Sequence, residues 1–365
     1  MHSADILETV NIGFTLLNIL DTTHDECVDA FRRRYGKGAH ISTPLYRQVM
    51  KTGNAVFNGP GLLARYPELA HRLETEMALS SGRVIKQVAE GQVIKFVTRL
   101  GDDLDIESVV IPMFKRNTLC VSSQVGCRMG CRFCRTARMG LVRNLTAAEI
   151  VGQVFTARHQ LRVDVRNVVF MGMGEPLDNL DNVVRAIRVL EDQRGLDIAR
   201  RRITVSTVGL VAGIDRLART EGAPVHLAVS LNAPADEIRS TIMPINRTNA
   251  MGALRTSLLN YPLPKKSAFF MAYVLIQGVN DRQAHARALA RYLSPLKAKL
   301  NLIAFNPSPD SELKPPSAAA YERFRAWMVA EKVFVRRRGE KGGRIMAACG
   351  QLGGRNNASD CRPIV

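Results

Sequence analysis

The chain has little of what would place it in a membrane or outside a cell. No apolar run in its 365 residues approaches the roughly 18 needed to span a bilayer. Its first residues, MHSADILETV, hold two acids and no Lys or Arg, so the basic start of a secretory signal is missing and a cytoplasmic location is expected. Seven cysteines is an odd number, and three of them crowd into Cys127–Cys134. That suits a metal site in a reducing compartment better than a disulfide framework. Acids are scarce as well: 33 Asp and Glu face 51 Lys and Arg, for a net charge of +18. Between Met113 and Ala148 there is no acid, against Lys115, Arg116, Arg128, Arg132, Arg135, Arg138 and Arg143. The field around the cysteines is therefore positive, and a polyanionic partner is the natural reading, with a solubilising surface as the plainer alternative. Internal repeats and low-complexity segments are also missing.

What is present supports a sizeable core: 46% of residues are apolar and 23% charged. Residues 1–100, with 12 basic against 10 acidic residues, read as a small helical accessory domain. Ile6–Leu20 and Leu62–Met77 carry helical apolar spacing, and Phe31–Lys51 is basic and helix-compatible at its ends. Alternating apolar residues predict a β-ribbon over Val84–Pro112. From Cys120 onward strands and amphipathic helices alternate. The strands are expected at Leu119–Val125, Asn167–Met171, Arg202–Val208, Val225–Leu231, Phe269–Ile276 and Leu300–Phe305, with helices at about Leu180–Gln193 and Arg282–Leu293. Another helix starts at Thr146, where Thr-Ala-Ala-Glu forms a capping box with Glu149. Six βα units in series predict an α/β fold: a full or partial parallel barrel, its site at the C-terminal strand ends. The core is expected over residues 101–355, with a short tail at 356–365.

Cys127-Arg-Met-Gly-Cys131-Arg-Phe-Cys134 is the most informative stretch. Three thiolates can hold three irons of a cubane cluster and leave the fourth open to a chelating ligand. A structural zinc site would want four ligands, and no second Cys/His pair follows at a suitable distance. Gly172-Met173-Gly174-Glu175-Pro176 closes the second strand; its glycines permit close backbone approach, and Glu175 can receive an ammonium group. Ser206, Ser230-Leu231-Asn232 and Asn306 close the third, fourth and sixth strands. Each alone would pass as a turn cap. Cys27 and Cys361 read as incidental.

The C-x3-C-x2-C spacing, with Phe133 before the last cysteine, resembles the signature of the radical S-adenosylmethionine (SAM) superfamily. From about Glu107 to Leu352 the chain is similar to the RlmN/Cfr family of RNA adenine methyltransferases. The stretches that carry this are Leu119–Cys127, Asn167–Pro176, Ser230–Pro234, Met243–Asn246, Gly278–Asp281, Asn301–Pro307 and Ala347–Leu352. The resemblance implies a [4Fe–4S] cluster on Cys127, Cys131 and Cys134, SAM held by Gly174, Glu175, Ser206, Ser230, Leu231, Asn232 and Asn306, and a partial (β/α)6 radical SAM barrel. It also implies that Cys349 is methylated, that its methyl group after hydrogen loss adds to an adenine ring, that Glu107 accepts the ring proton, and that Cys120 releases product through a transient disulfide with Cys349. Large-subunit ribosomal RNA modified at adenine carbon 2 is the implied substrate, with transfer RNA as a second one. An electron donor such as flavodoxin or ferredoxin, a monomeric state and no membrane partner go with it. Carbon 8 of adenine and a radical SAM activase or peptide-modifying enzyme are the alternatives. Two departures stand out: Asn232 occupies a position where the family usually has His, and Lys341–Met346 replaces a more acidic approach to Cys349.

Overall fold

The computed structural model describes residues 16–353, except 59–60, 80, 114–115, 223, 309–310 and 338–341. The expected helix over Ile6–Leu20 therefore lies largely outside the described residues, and its end forms β1 (Leu17–Asn18) and one 3-10 turn. Next come α1 (His24–Tyr35), α2 (Ala39–Thr52) and α3 (Pro67–Glu76). Local chemistry sets their ends. Thr23 and Glu26 form a reciprocal capping box at the start of α1, and α1 and α2 stop at Gly36 and Gly53, whose φ angles of 61° and 74° suit glycine. The strand β2 (Met77–Ala78) then pairs parallel with β1. The helical unit is not detached: Phe31, Tyr46 and Met50 share one apolar core with Val154 and Val183 further along the chain.

The change from helices to the main sheet falls between Glu76 and Arg83. β3 (Arg83–Glu90), β4 (Val93–Arg99) and β5 (Asp105–Met113) form the expected ribbon and pair antiparallel in series. β5 pairs antiparallel with β6 (Arg116–Cys120), the first strand of the parallel part. A hairpin, β7 (Gln124–Cys127) and β8 (Gly140–Asn144), projects from it. β9 (Val165–Phe170), β10 (Ile203–Thr207), β11 (His226–Ser230), β12 (Phe269–Leu275), β13 (Ala298–Ala304) and β14 (Val335–Arg337) continue the sheet in parallel. The sheet has ten strands in the order β14-β13-β12-β11-β10-β9-β6-β5-β4-β3, so it is an open, partial barrel.

The helices are α4 (Arg135–Arg138), α5 (Ala147–His159), α6 (Leu180–Glu191), α7 (Val211–Ala218), α8 (Asp236–Ile242), α9 (Met251–Asn260), α10 (Gln283–Leu293) and α11 (Ala318–Ala330). Both halves of the Thr146 box at α5 are made, at 2.9 and 3.2 Å. Strand interiors such as Val168, Val205, Leu227, Met271 and Leu300 are fully buried, as a parallel sheet covered by helices requires.

One strand expectation is corrected. Leu119–Val125 is not continuous: the chain leaves the sheet after Cys120 and turns into the β7–β8 hairpin. Within that hairpin Gly126 has φ 77°, and an added Cβ would stand 1.9 Å from the Gly140 carbonyl oxygen, so the close approach of β7 and β8 there requires glycine. A short strand such as β14 has too few residues to show a period in the sequence.

Candidate active site

The three clustered cysteines follow β7 in a loop that ends at α4: Cys127 is the last residue of β7 and Cys134 the cap of α4. Gly130, at φ 71°, turns the loop, and Arg132 N–H donates to the Ile242 carbonyl (2.9 Å), fastening the loop to the end of α8. Cys127 and Cys131 sit in an apolar cluster of their own with Met129, Ile242, Met243 and Phe305. Burial there pushes the Cys127 thiol up to about 12 and the Cys131 thiol well above its ordinary value. A bare thiolate is costly in such a shell, whereas one neutralised by iron is not. Among the described residues no three His, Cys, Asp or Glu side chains converge where a single metal ion would sit. Zinc needs its donors around one centre. Three thiols that line one cavity without converging fit a cluster in which each binds a different iron.

That cavity, about 1090 Å³ with its open mouth, lies at the C-terminal ends of the parallel strands. It brings Gly174, Glu175, Ser206, Ser230, Asn232 and Asn306 together with Cys127, Cys131, Cys134 and Cys349. Leu231 is the exception: its side chain is buried in the main apolar core. The glycines of Gly172–Glu175 serve the chain itself. A Cβ on Gly172 would stand 2.7 Å from Ser122, and one on Gly174 2.6 Å from Gln124, because the end of β9 passes tightly against the segment after β6. Glu175 is fully enclosed. Burial raises its carboxyl to about 7, while N–H groups of Leu177 (3.1 Å) and Val208 (2.8 Å) donate to its two oxygens and favour the charged form. A carboxylate has further lone pairs, so it can still take an ammonium group.

Asn232 does more than face the cavity. Its φ is 57°, a left-handed conformation that Asn tolerates better than most side chains. Its side-chain oxygen accepts the Val274 N–H at 2.9 Å, and its carbonyl accepts from Asn280 at 2.8 Å, which ties the end of β11 to β12. Sequence reasoning missed several polar residues, among them Asn301, which lines the cavity, and Gln124, whose side chain accepts the Glu175 N–H (2.8 Å) and donates to Asn144 and Asp178. A lone amide carries no spacing signal.

A second cavity of about 1400 Å³ adjoins the first, lined by Ile111, Met113, Thr118, Val169, Thr204 and Arg336 among others. Cys349 lines both. The strand register decides what else faces it. Lys95, Val109, Cys120 and Val169 are successive partners across four strands, so their side chains share a face, and Glu107 joins them two residues from Val109. Glu107 and Cys120 are thus brought to the face that carries Ile111, Thr118 and Val169 of the second cavity. No disulfide joins the six described cysteines, Cys120 and Cys349 included, and Cys361 lies outside the described residues.

Glu107 is not a surface residue. Lys95 Nζ donates to its Oε1 (3.4 Å) and to the Met346 carbonyl (3.3 Å), while Gly353 N–H donates to Oε2 (2.9 Å). The pair therefore clasps the segment that carries Cys349 from both sides. Breaking a buried pair by removing one partner costs about 3–5 kcal/mol. Lys95→Met is expected to destabilise the protein by about 3 kcal/mol, and Lys95→Met with Glu107→Gln by far less, as a urea double-mutant cycle would read. Equal losses in the single and double variants would remove the clasp.

The basic run around the cysteines is partly neutralised by acids from other segments. Arg128 pairs with Asp178, Arg132 with Glu312 (3.7 Å), and Arg143 with both Asp102 (2.6 Å) and Glu149 (2.8 Å). Lys115 lies outside the described residues. No helix among the described residues is long and apolar enough to cross a membrane.

Comparison with known proteins agrees with this geometry. The radical SAM superfamily profile matches residues 121–289, from the end of β6 into α10. The chain is 40% identical over 340 residues to a probable dual-specificity RNA methyltransferase RlmN 1 of Protochlamydia amoebophila, covering 92% of this chain and 94% of that protein. It is 46% identical over 334 residues to the dual-specificity RNA methyltransferase RlmN of Pelobacter propionicus, covering 91% and 94%. The solved structure of a radical SAM methyltransferase from Sphaerobacter thermophilus superposes with a TM-score of 0.85 at 37% identity, covering 92% of this chain and 99% of the other. An open parallel sheet with three cysteines beside its C-terminal strand ends, matched over nearly its whole length by such relatives, makes this chain a member of the RlmN/Cfr family of radical SAM RNA methyltransferases, with a [4Fe–4S] cluster and SAM as its cofactors.

Proposed function

We propose that the chain methylates carbon 2 of an adenosine in large-subunit ribosomal RNA, with transfer RNA as a second substrate, through a methyl group carried on Cys349. The observation that carries this reading is the position of Cys349, which lines both the cofactor cavity and the cavity beside it. A group attached to its sulfur could be activated on one side and delivered on the other.

Cys127, Cys131 and Cys134 would hold the cluster, and Gly174, Glu175, Ser206, Ser230, Asn232 and Asn306 would receive the bound SAM, with Leu231 shaping the strand end from the core. The cluster, when bound, supplies the electron for reductive cleavage of SAM. The rest is the work of side chains. Cys349 presents the carbon to the electron-poor ring, which a nucleophilic route cannot methylate. Glu107 takes the ring proton. The Cys120 thiolate then attacks the Cys349 sulfur; the bond from that sulfur to the transferred carbon breaks with its electron pair going to the carbon, which takes up a proton to become the methyl group, and the two sulfurs are left as a disulfide.

The excess of cations and the helical unit within residues 1–100 support RNA as the partner of that site. The catalytic unit on this reading is the one expected over residues 101–355, and the tail expected at 356–365 lies outside the described residues. A flavodoxin- or ferredoxin-type electron donor, a monomeric state and a cytoplasmic location accompany it. Nucleosides from RNA treated with the reconstituted protein should contain 2-methyladenosine by mass spectrometry. Finding 8-methyladenosine instead would move the reaction to carbon 8; finding neither would overturn the reading.

A further inference from the structure

The largest fully buried side chain among the described residues is a cation, Arg239 of α8, at 0% exposure. Its partners are all neutral. Nε donates to the Leu231 carbonyl (3.1 Å), Nη1 to the Asn246 side-chain oxygen (2.8 Å), and Nη2 to the carbonyls of Val208 and Ser230. Asp236, three residues earlier on the helix, attracts the cation without bonding to it, and shares its Oδ1 between Asn246 (2.8 Å) and the Met251 N–H (2.8 Å). Burying a cation costs several kcal/mol of hydration, which amide oxygens and one carboxylate shared with other donors offset only in part. Arg cannot escape by losing its proton. Such a residue needs a counter-charge.

The surroundings show where one would come from. Val208 and Ser230, which receive Nη2, line the cavity that holds Cys127, Cys131 and Cys134. Ile242, at the end of the same helix, accepts the Arg132 N–H of the cysteine loop, and Ile242 and Met243 pack in the cluster that contains Cys127 and Cys131. Three thiolates around an iron–sulfur core leave a net negative charge that grows by one on reduction, and net charge is one of the quantities that set a cluster's potential.

We propose that Arg239 is the built-in counter-charge of the cluster: a positioning residue that ties together the ends of β10 and β11 and, by its fixed cation, makes the cluster easier to reduce. This rests on the reading of Cys127, Cys131 and Cys134 as its ligands.

Arg239→Lys keeps the charge and loses the planar fork; Arg239→Gln loses the charge and keeps a donor. Both would be reconstituted anaerobically, with iron and sulfide content measured alongside an electron-paramagnetic-resonance redox titration. In Arg239→Gln the ratio of reduced to oxidised cluster at a given potential should fall about tenfold, equal to about 59 mV for one electron. Arg239→Lys should stay near the parent. If Arg239→Gln folds but will not hold a cluster while Arg239→Lys does, the counter-charge acts already on binding and the proposal stands. An unchanged titration in Arg239→Gln, equal shifts or equal cluster loss in both variants, or failure of both to fold would overturn it, because the fork and not the charge would then matter. Full iron content in Cys131→Ala would overturn the ligand reading and this proposal with it, and that result is visible without any Arg239 variant.

Discussion

Cys120→Ala is expected to leave the chain covalently joined to its RNA. On the proposed mechanism the variant still methylates Cys349 and still adds the carbon to adenine, but nothing then attacks the Cys349 sulfur. Turnover should stop at one event per chain, and a heavier, ribonuclease-sensitive band should appear on a denaturing gel. Cys349→Ala should fail earlier, with cluster intact, no methylated protein and no RNA product. Cys120 is buried at the end of β6 between Val109 and Val169, so the loss of one sulfur atom leaves a small void costing on the order of 1 kcal/mol. The variant should therefore fold. Two structural cysteines would instead cost stability and give no adduct, and a fully active Cys120→Ala enzyme without adduct would end the mechanism.

The second large effect belongs to the cysteine loop. Cys127→Ala, Cys131→Ala or Cys134→Ala should each abolish the brown iron–sulfur absorbance and all cleavage of SAM. Each of the three thiolates would hold its own iron, so the loss of any one leaves an iron without its ligand. Iron analysis and absorbance after reconstitution check this, with SAM cleavage measured in parallel. One variant that retained the parent's iron and turnover would show that a different residue holds the cluster.

Much of the barrel was legible because its signals are local. The buried parallel strands write themselves as short apolar runs, Thr146 and Glu149 announce α5 by a spacing of three, and the clustered cysteines announce their loop. The strand-end residues were legible for the same reason, since a β-strand followed by a turn fixes where a side chain such as Ser206 or Ser230 emerges. Leu231 shows the limit of that logic: one step along a pleat turns a side chain from the cavity into the core. Asn232 shows another. Asn can hydrogen-bond but cannot titrate near neutrality as the family's usual His does, and the structure gives it a left-handed turn and a strand-to-strand tie.

The sequence by itself determined the order of strands and helices, the cysteine spacing, the positive balance of the chain and the family to which its motifs belong, because each of these is written within a few consecutive residues or in simple composition. Only the tertiary structure decided which charges remain uncompensated and which residues meet. In the acid-free run around the cysteines Arg128, Arg132 and Arg143 are answered by Asp178, Glu312 and Asp102 from outside it, Glu107 is clasped by Lys95 and Gly353, and Arg239 lies in the interior with neutral oxygens as its hydrogen-bond partners. Electrostatic pairing depends on distance in space, and strand register and packing, which set those distances, join segments far apart in the chain.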